Sequence, residues 1–447
     1  MENDKLGKSV AIIGASYSGL LAANVLSPYF DKVTLIDRDD IPLGTINTHR
    51  RYTPQSYHTH VLLSGGLRAL EDILPGIRER LLKEGSIVSD ALANVRSLFT
   101  KGWLPVTRSE IEIFSQSRSL LEGVIRQMTV ERVKNLILKP RTRLSRLVLS
   151  PLGDHTLALE DENGTGQYTF DFVVDARGQT SDISGLLDSI GISTRSIHMK
   201  PNITYITAWL PSVNTPENTN GLIILPRVTE GPTGGGLFKI ENGQTMFTLY
   251  GYNKNIPPRE WIDILSCSHG LLSDMLYQAV KDAAPDRIDV FKKSETKINY
   301  YAKTGDWPHN ILVVGDAVSS FNPVYGQGMA TSAISLQKLK QGLGTAKPIA
   351  SLQRDITRIY EQAWSISGNE DLRWPDTQTD YRQFGITAIH RIGDMINRAA
   401  TKNRDVAIAY IKVLHMLEPP ETMFRPDLLL KIFANQKTPA EAEPCLF

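Results

Sequence analysis

"SVAIIGASYSGLLAANVLSPYFDKVTLIDRD" occupies residues 9–39 and decides the fold of the first part of the chain. Val10 to Ile13 is a short apolar run typical of a buried strand, and Leu20 to Leu26 has the apolar spacing of a helix. Val33 to Ile36 is a second buried-strand run, followed by an acidic residue. The stretch therefore predicts a strand, a glycine turn, a helix and a second strand, the unit that builds parallel α/β sheets.

The glycine turn fits a dinucleotide-binding fingerprint, because Gly14, Ser16 and Gly19 match G-x-S-x-x-G, with serine at the usual second glycine. Such a turn lets the backbone approach a pyrophosphate, and the helix N-terminus supplies N–H donors to it. Asp37 ends the second strand, where a carboxylate accepts from ribose hydroxyls, and Arg38 is a candidate contact for the adenosine. NAD and FAD share this fingerprint, and the alternative is a glycine-rich turn in an unrelated α/β protein.

A second stretch, "VVGDAVSSFNPVYGQGM" at residues 313–329, favours FAD. Asp316 follows a strand and can accept from the hydroxyls of a ribityl chain, although a helix cap in a tight turn is the alternative. N–H groups at the start of the next helix can face the ring edge that becomes negative on reduction, and a proline shapes the loop before them. The candidate ring-facing residues are Pro323, Gly326, Gln327, Gly328 and Met329.

Composition and charge exclude several functional classes. The chain has 447 residues, 41% hydrophobic and 22% charged, as expected for a soluble protein of two or three structural units. A net charge of +1 gives no basis for nucleic-acid binding. The only cysteines, Cys267 and Cys445, cannot form a disulfide framework, which favours a reducing compartment. Because neither a signal-peptide core nor an 18-residue apolar run is present, we predict no transmembrane segment and a cytoplasmic location.

The chain changes character along its length. Between residues 190 and 300 it alternates β-forming clusters with Gly, Asn and Pro, which predicts a mostly antiparallel sheet, interrupted by one helix over residues 259–283. The predicted fold class is α/β, or more fully a two-domain α+β arrangement with a Rossmann-like FAD-binding domain, a β-sheet substrate domain and a helical C-terminal segment. The predicted boundaries are 1–189 and 301–345 for the FAD-binding domain, with part of 50–115 facing substrate, 190–300 for the substrate domain, and 346–447 for the C-terminal segment with a frayed tail.

Four stretches resemble the single-component FAD-dependent monooxygenases of the para-hydroxybenzoate hydroxylase-like superfamily: "GASYSG", "SRSLLE" at 117–122, "VVDARG" at 173–178 and the stretch at 313–329. Two more, "TPQSYHTHVLLSGGLRALEDILPG" at 53–76 and "LEPPETMFRP" at 417–426, are similar to a subgroup that includes bacterial polyether epoxidases acting on polyene chains. The resemblance runs through nearly the whole chain in order and is weakest over residues 190–300.

This resemblance implies roles for residues at matching positions. The ADP half of FAD would be held at the fingerprint, Arg118 would contact the cofactor from the start of a helix, and Asp316 would hold the ribityl chain. Asp175 and Gly178 in "DARG" match an element that serves FAD and NAD(P)H, but many relatives have Asp directly before Gly. That departure leaves the docking of the reductant open.

The resemblance also implies the chemistry: NAD(P)H reduces FAD, O₂ forms a C4a-hydroperoxide, and one oxygen atom passes to the substrate by epoxidation or hydroxylation. The substrate class is an apolar or aromatic natural-product intermediate of secondary metabolism. The sequence leaves open whether a separate flavin reductase is needed. It also leaves open whether the C-terminal helices contact a membrane surface.

His60 is the candidate catalytic residue near the flavin, with His58 as a neighbour and a loop histidine bonded to backbone as the alternative. No metal site is predicted, because this histidine pair has no nearby Cys or acid. Outside these motifs, Tyr300, Tyr301 and Trp307 are assigned either to a substrate pocket or to the core. Arg50 and Arg51 are assigned either to the pocket mouth or to a solvated loop.

Three other functions stay in competition. A flavin-dependent halogenase shares the FAD fold, but the Trp-x-Trp-x-Ile-Pro stretch typical of halogenases is missing from the sequence. A flavin-dependent reductase of the geranylgeranyl-reductase type would carry both nucleotide motifs and saturate double bonds. A non-catalytic FAD-binding protein or an NAD-only Rossmann domain would lack oxidative turnover altogether.

Overall fold

The computed structural model describes residues 5–150, 153–301, 307–381 and 384–436. The predicted frayed tail, with Cys445, lies outside the described residues from 437 onward. Twenty-two strands form within the described part, and we number them in chain order. They are β1 (Ser9–Ile13), β2 (Lys32–Ile36), β3 (Val61–Leu62), β4 (Ile87–Asp90), β5 (Val95–Phe99), β6 (Gly102–Trp103), β7 (Glu112–Ser115), β8 (Leu136–Lys139), β9 (Arg143–Val148), β10 (His155–Asp161), β11 (Gly164–Phe170), β12 (Phe172–Asp175), β13 (Ser196–Lys200), β14 (Ile203–Leu210), β15 (Gly221–Ile224), β16 (Thr233–Lys239), β17 (Thr245–Tyr252), β18 (Arg287–Lys293), β19 (Thr296–Asn299), β20 (Ile311–Val313), β21 (Ser319–Ser320) and β22 (Gln378–Thr379).

Twelve α-helices form in the same described ranges. They are α1 (Tyr17–Leu26), α2 (Ser64–Ile73), α3 (Ile77–Lys83), α4 (Arg118–Arg132), α5 (Ile183–Ser189), α6 (Trp261–His269), α7 (Met275–Val280), α8 (Gln327–Leu343), α9 (Ile349–Asp371), α10 (Ile386–Ala400), α11 (Arg404–Leu414) and α12 (Pro426–Ala434).

A five-stranded parallel sheet in the order β20-β12-β1-β2-β8 forms the first half of the molecule. The strand–helix–strand unit predicted from residues 9–39 is confirmed as β1, α1 and β2. Its strands are apolar along their length because helices cover both faces of such a sheet, and Val10, Ile12 and Leu35 are completely buried. In parallel strands the carboxyl ends share one edge, so Ile13 lies beside both Ile36 and Asp175.

A seven-stranded sheet in the order β18-β14-β17-β16-β15-β5-β6 forms the second half. On its outer face, Ile206 and Leu249 pack against α6 and α7. The single helix predicted over 259–283 is wrong, because the segment forms two helices that break after His269. Gly270 ends the first helix, donating its N–H to Ser266 and Cys267 carbonyls; glycine is a poor residue for a helix interior.

The inner face of this sheet is lined by side chains that face the first half of the molecule. Tyr205 pairs with Tyr250 across β14 and β17, and Thr207 pairs with Thr248. The C-terminal helices α10, α11 and α12 pack with β5 in a separate apolar cluster that includes Val95.

The predicted α/β fold class is therefore confirmed. Across the ranges that the structure describes, no helix is both long and apolar enough to cross a membrane.

Close packing of α1 on the glycine turn gives a prediction for stability. A Cβ added at Gly19 would lie 1.8 Å from the Gly14 carbonyl oxygen, so Gly19→Ala must push the helix away from the strand. We expect the free energy of unfolding to fall by at least about 1–3 kcal/mol, the usual cost of overpacking. Urea denaturation of the purified variant measures this change.

Gly185→Ala in α5 is the matched control, because a Cβ there meets nothing within 4 Å. Alanine has the higher helix propensity, so this variant should be neutral or more stable by up to about 1 kcal/mol. Equal stability of the two variants would contradict the proposed backbone contact.

Candidate functional site

The fingerprint turn has the backbone geometry that the sequence predicts. Gly14 has a φ of +109°, and a Cβ there would lie 2.3 Å from the Ala176 carbonyl oxygen, so only glycine fits. Ser16 precedes α1, and its hydroxyl donates to Glu122 Oε1 at 2.9 Å rather than capping the helix. The first turn of α1 therefore presents its N–H donors without a side-chain cap, as an anion-binding helix N-terminus does.

Asp37 lies at the carboxyl end of β2, directly beside this turn. Its Oδ2 accepts from the Ala15 N–H at 2.6 Å and pairs with Arg50 Nη2 at 2.9 Å. Arg50 also donates to the Ala15 carbonyl oxygen at 3.0 Å, and its side chain is only 6% exposed. The assignment of Arg50 to a solvated loop is therefore wrong, and its assignment to the mouth of a substrate pocket stays a prediction. Sequence patterns do not reveal this pair, since the two residues belong to different segments.

Arg38 lies on the outer side of the same strand end. Its guanidinium stacks 4.3 Å from the centroid of the Tyr52 ring, which is 45% exposed. Planar cationic and aromatic groups of this kind offer stacking surface to a purine. Arg38, Tyr52 and Asp37 thus lie at the end of the fingerprint where an adenosine would be expected.

The start of α4 joins the fingerprint through a buried carboxylate. Arg118 Nε donates to Glu122 Oε1 at 2.7 Å, and the same oxygen accepts from Ser16. Burial alone would raise the pKa of Glu122, but the positive charges of Arg118 and Arg50 hold it below its usual value. Glu122 therefore stays ionised and fixes Arg118 next to the glycine turn.

Two buried polar side chains beside this network were missed from the sequence. Gln116 is 0% exposed, yet neither of its amide atoms has a partner within the described part of the chain. The Tyr17 hydroxyl, in the fingerprint itself, is likewise buried without a partner among the described residues. Unsatisfied buried polar atoms are costly, so each of them calls for a partner such as water, an ion or a bound molecule. Gln116 lies two positions before Arg118 in the sequence, and this proximity to a candidate cofactor contact could have indicated it.

The "DARG" element contributes a buried ion pair rather than an open carboxylate. Asp175 is completely buried, and its oxygens accept from Arg177 Nη2 and the Ser181 hydroxyl, each at 2.7 Å. Gly178 has a φ of +72°, and a Cβ there would lie 3.8 Å from the Cβ of Asp316. Gly178 therefore lies next to the turn that carries Asp316, whereas the carboxylate of Asp175 is occupied by bonds to other residues of the protein.

Asp316 lies in a short turn, Gly315–Ala317, at the carboxyl end of β20. Gly315 has a φ of +68°, and a Cβ there would lie 2.4 Å from the Ser18 hydroxyl, so the turn is pressed against α1. Lys293, at the end of β18 in the large sheet, donates to Gln179 Oε1 at 2.5 Å, and burial lowers the pKa of this lysine. Both nucleotide motifs therefore meet at one place.

The helix α8 starts beyond this turn with a second uncapped N-terminus. Pro323 opens a short turn, and Gly326 follows with a φ of +65° and without a side-chain cap for α8. Gln327 is 2% exposed, and its Oε1 lacks a partner among the residues described. Gly328 leaves room, since the nearest atom to its Cβ position is 3.9 Å away. Met329 instead packs into the core at 8% exposure.

The loop that carries His60 is clamped between the two halves of the molecule. His60 Nδ1 donates to the His58 carbonyl oxygen at 2.7 Å. His58 Nδ1 bonds the Thr207 hydroxyl at 2.8 Å, which anchors the loop to the inner face of the large sheet. Burial, and then the charge of Arg118, lower the pKa of His60 to about 3, so the ring is neutral and its Nε2 is an acceptor. A Cβ at Gly326 would lie 4.0 Å from Val61 in the strand after His60, which places this loop beside the start of α8.

A cleft of about 230 Å³ opens next to the Pro323–Tyr325 turn, between the large sheet and the C-terminal helices. Its apolar wall includes Val324 and a stacked pair, Tyr252 and Trp374, with ring centroids 4.2 Å apart. Its charged side chains are paired with one another at 2.6 to 3.1 Å: Arg227 with Glu230, Arg373 with Glu370 and Asp394, and Lys101 with Asp394. The cleft therefore suits an uncharged planar molecule.

Beneath the cleft lies a buried acid that the sequence did not indicate. Asp371 is 1% exposed and accepts from Asn322 Nδ2 at 2.6 Å. Tyr301 and Trp307, in contrast, belong to the main core and do not line the cleft. Over the described ranges, no group of three or more His, Cys, Asp or Glu side chains is arranged to hold a metal ion.

Comparison with known proteins shows that the fold of this chain is shared with several solved enzymes. No family model matches the chain. Protein Rv3254 of Mycobacterium tuberculosis is 27% identical over 384 residues, which cover 81% of this chain and 79% of that protein. The structure of the p-nitrophenol 4-monooxygenase PnpA from Pseudomonas putida superposes with a TM-score of 0.63 at 13% identity, covering 94% of this chain and all of PnpA.

Two further solved structures have the same fold but different chemistry. The flavin-dependent brominase Bmp2 superposes with a TM-score of 0.58 at 14% identity, covering 96% of this chain and 92% of Bmp2. The Diels-Alderase PyrE3 of pyrroindomycin biosynthesis superposes with a TM-score of 0.58 at 13% identity, covering 91% of this chain and 80% of PyrE3. At such identities the likeness establishes the fold, while the reaction has to be argued from the site.

Burial of Asp371 gives a prediction for stability against pH. Burial raises the pKa of this carboxyl from 3.8 to about 7. Between these values the folded protein holds a proton that the unfolded chain releases, so rising pH costs stability. Asp371→Asn cannot ionise, and its free energy of unfolding relative to wild type should rise between about pH 4 and about pH 7, by up to about 4 kcal/mol. Urea denaturation across this range tests it, and stability curves that stay parallel would contradict the buried carboxyl.

Proposed function

We propose that this protein is an FAD-dependent monooxygenase that inserts one oxygen atom from O₂ into an apolar or aromatic small molecule. The observation that carries the proposal is the meeting of two uncapped helix N-termini, α1 after the Gly14 turn and α8 after the Asp316 turn, which pack together through Ser18 and Ser332 at 2.8 Å. A molecule with a pyrophosphate at one end and an anionic ring at the other fits both.

The residues present fit FAD by their chemistry. The cradle at Gly14 admits no Cβ, and the buried amide atoms of Gln116 and Gln327 lack partners in the described chain, so they are available to polar atoms of a bound cofactor. The pyrophosphate would be held by Gly14, Ser16 and Gly19, and the adenosine by Asp37 and Arg38. The central chain of the cofactor would be held by Arg118, Gly178 and Asp316. The ring would be contacted by Pro323, Gly326, Gln327 and Gly328. The buried Asp175 would act through the shape of its turn, and Met329 through packing.

Bound FAD would supply the redox chemistry, passing two electrons from a reductant to O₂. The role of this chain is to position, desolvate and orient. Neutral His60 offers Nε2 as a hydrogen-bond acceptor beside the start of α8, because burial, and then the charge of Arg118, lower its pKa. The N–H groups of α8 stabilise negative charge that develops against them. The apolar wall of the cleft limits water around the reacting atoms.

The cleft supports the substrate class. Its apolar wall includes the largely buried Tyr252–Trp374 stack, and its charged side chains are already neutralised by one another. An uncharged aromatic or polyene molecule of a natural-product pathway matches these features, and either hydroxylation or epoxidation is compatible with them. We propose NAD(P)H as the reductant, delivered directly or by a separate flavin reductase, and a cytoplasmic location.

A second candidate is flavin-dependent halogenation, favoured by the likeness to the brominase Bmp2. A third is double-bond reduction of the geranylgeranyl-reductase type, which uses the same nucleotide-binding elements. The three reactions differ in their need for O₂ and for halide. Turnover with O₂ alone supports the monooxygenase, turnover that requires added bromide supports the halogenase, and anaerobic turnover supports the reductase.

The decisive experiment starts with the visible spectrum of the purified protein. We expect bound flavin, NAD(P)H consumption that stops when O₂ is removed, and one ¹⁸O atom from ¹⁸O₂ in the product of a screened aromatic or polyene library. Flavin that NAD(P)H reduces only when a flavin reductase is added would assign the reductant to a partner. A protein that binds no FAD on reconstitution would overturn the proposal.

Asp316→Asn tests the motif at residues 313–329. If Asp316 accepts hydroxyl hydrogens of the bound cofactor, loss of the charge should weaken FAD binding about 10- to 100-fold, as expected for a charged hydrogen bond. FAD titration followed by flavin fluorescence measures the affinity. Asp188→Asn, on an exposed position of α5, is the matched control and should bind FAD like the wild type. Equal affinity of the two variants would remove Asp316 from the cofactor site.

A further inference from the structure

A buried hydrogen-bond network links the end of α9 to the loop before α8. Asp371 Oδ1 accepts from Asn322 Nδ2 at 2.6 Å and from the Tyr325 hydroxyl at 3.4 Å. Asp371 and Asn322 are each 1% exposed. Asn322 belongs to the stretch at residues 313–329, but the function proposed above gives Asp371 no role.

Asn322 is held rigidly in this network. Its Nδ2 also donates to the Tyr252 hydroxyl at 3.0 Å, and its Oδ1 accepts from the Tyr205 hydroxyl and from the Val324 N–H, both at 3.0 Å. An amide so fully bonded cannot turn over when its neighbour changes protonation state. The groups that can adapt are the hydroxyl hydrogens of the tyrosines, which rotate freely about the C–O bond.

Tyr325 and Tyr252 connect the network to the cleft. Their hydroxyl oxygens are 3.4 Å apart, and both residues line the cleft wall. A tyrosine hydroxyl has a single hydrogen. While Tyr325 donates that hydrogen to an ionised Asp371, it offers only lone pairs elsewhere. Once Asp371 is protonated, its own O–H can donate to Tyr325, and the tyrosine hydrogen is released.

We propose that Asp371 is a specificity-determining residue that sets the hydrogen-bonding polarity of the cleft. With Asp371 ionised, the tyrosine hydroxyls accept, and the cleft selects a ring that carries a donor such as a hydroxyl or N–H group. With Asp371 protonated, they donate, and the cleft selects a ring that carries only an acceptor such as an ether or a ketone. This inference rests on the proposed function only in taking the cleft as the substrate site.

The surrounding groups make both states accessible near neutral pH. Burial raises the pKa of Asp371 to about 7. The hydrogen bonds from Asn322 and Tyr325 act in the opposite direction and lower it, while the negative charge of Glu370 on the same helix raises it. The titratable groups that face Asp371 from other elements are Tyr325, Tyr252 and Tyr205, and burial raises the pKa of each well above the usual value. The tyrosines therefore stay protonated while Asp371 changes state.

The test compares two probes of one ring system, 2-naphthol with a donor and 2-methoxynaphthalene without one. Their affinities for the full-length, FAD-loaded protein are measured by calorimetry at several pH values between about 6 and about 8. We expect the ratio of naphthol affinity to methoxynaphthalene affinity to rise about 5- to 10-fold with pH, the size of one hydrogen bond, with a midpoint near that of Asp371.

Three variants separate this role from a structural one. Asp371→Asn retains an acceptor for Asn322 and gains a donor for Tyr325, so it should fix the ratio at its low-pH value. Tyr325→Phe removes the hydroxyl and should abolish the pH dependence while both rings still bind. Glu370→Gln keeps the network but removes a like charge, so the change should persist with a lower midpoint.

An Asp371→Asn variant that keeps the wild-type pH dependence would overturn the inference, as would a ratio in the wild type that does not change with pH. Failure of both rings to bind would also overturn it, since the cleft would then not accept an aromatic ring. The measurement needs no turnover. Failure of the monooxygenase proposal would instead appear as missing flavin or as O₂-independent consumption of NAD(P)H.

Discussion

The contact between the start of α1 and the end of β1 is the constraint on which the parallel-sheet half of the molecule depends. The helix lies so close to the turn that a single added carbon at Gly19 would overlap the Gly14 carbonyl. This closeness directs the N-terminus of α1 into the space above the parallel sheet. It also brings Ser18 against the Gly315 turn, so the two nucleotide motifs are aligned by steric contact rather than by a flexible linker.

Charged groups at the site are arranged so that each has a fixed state. Glu122 is kept ionised by Arg118 and Arg50, and burial together with the charge of Arg118 keeps His60 neutral. Asp371 differs, because it is buried among hydroxyl and amide groups without a cation as a partner in the network described. A carboxyl in such surroundings titrates near neutral pH, and it therefore can act as a switch where the other charges act as fixed supports.

The fold is compatible with several reactions, as the likeness to a monooxygenase, a brominase and a Diels-Alderase indicates. In the proposed function, the turns at Gly14 and Asp316 would position FAD, and the inner face of the large sheet with the C-terminal helices would shape what reaches it. The choice among reactions therefore depends on the cleft side. There this chain has an apolar stack, mutually neutralised charges and hydroxyl groups connected to one buried acid.

The sequence by itself determined the parallel sheet, the glycine turn and the placement of Asp37 and Asp316 at strand ends, because these features depend on neighbours within one short segment. It did not predict the Arg50–Asp37 pair, the unsatisfied Gln116 amide or the Asp371 network. Asp371 and Asn322 are 49 positions apart, and Tyr252 lies a further 70 away. Such contacts, and the pKa shifts that burial causes, exist only after distant segments pack together, so only the tertiary structure decided them.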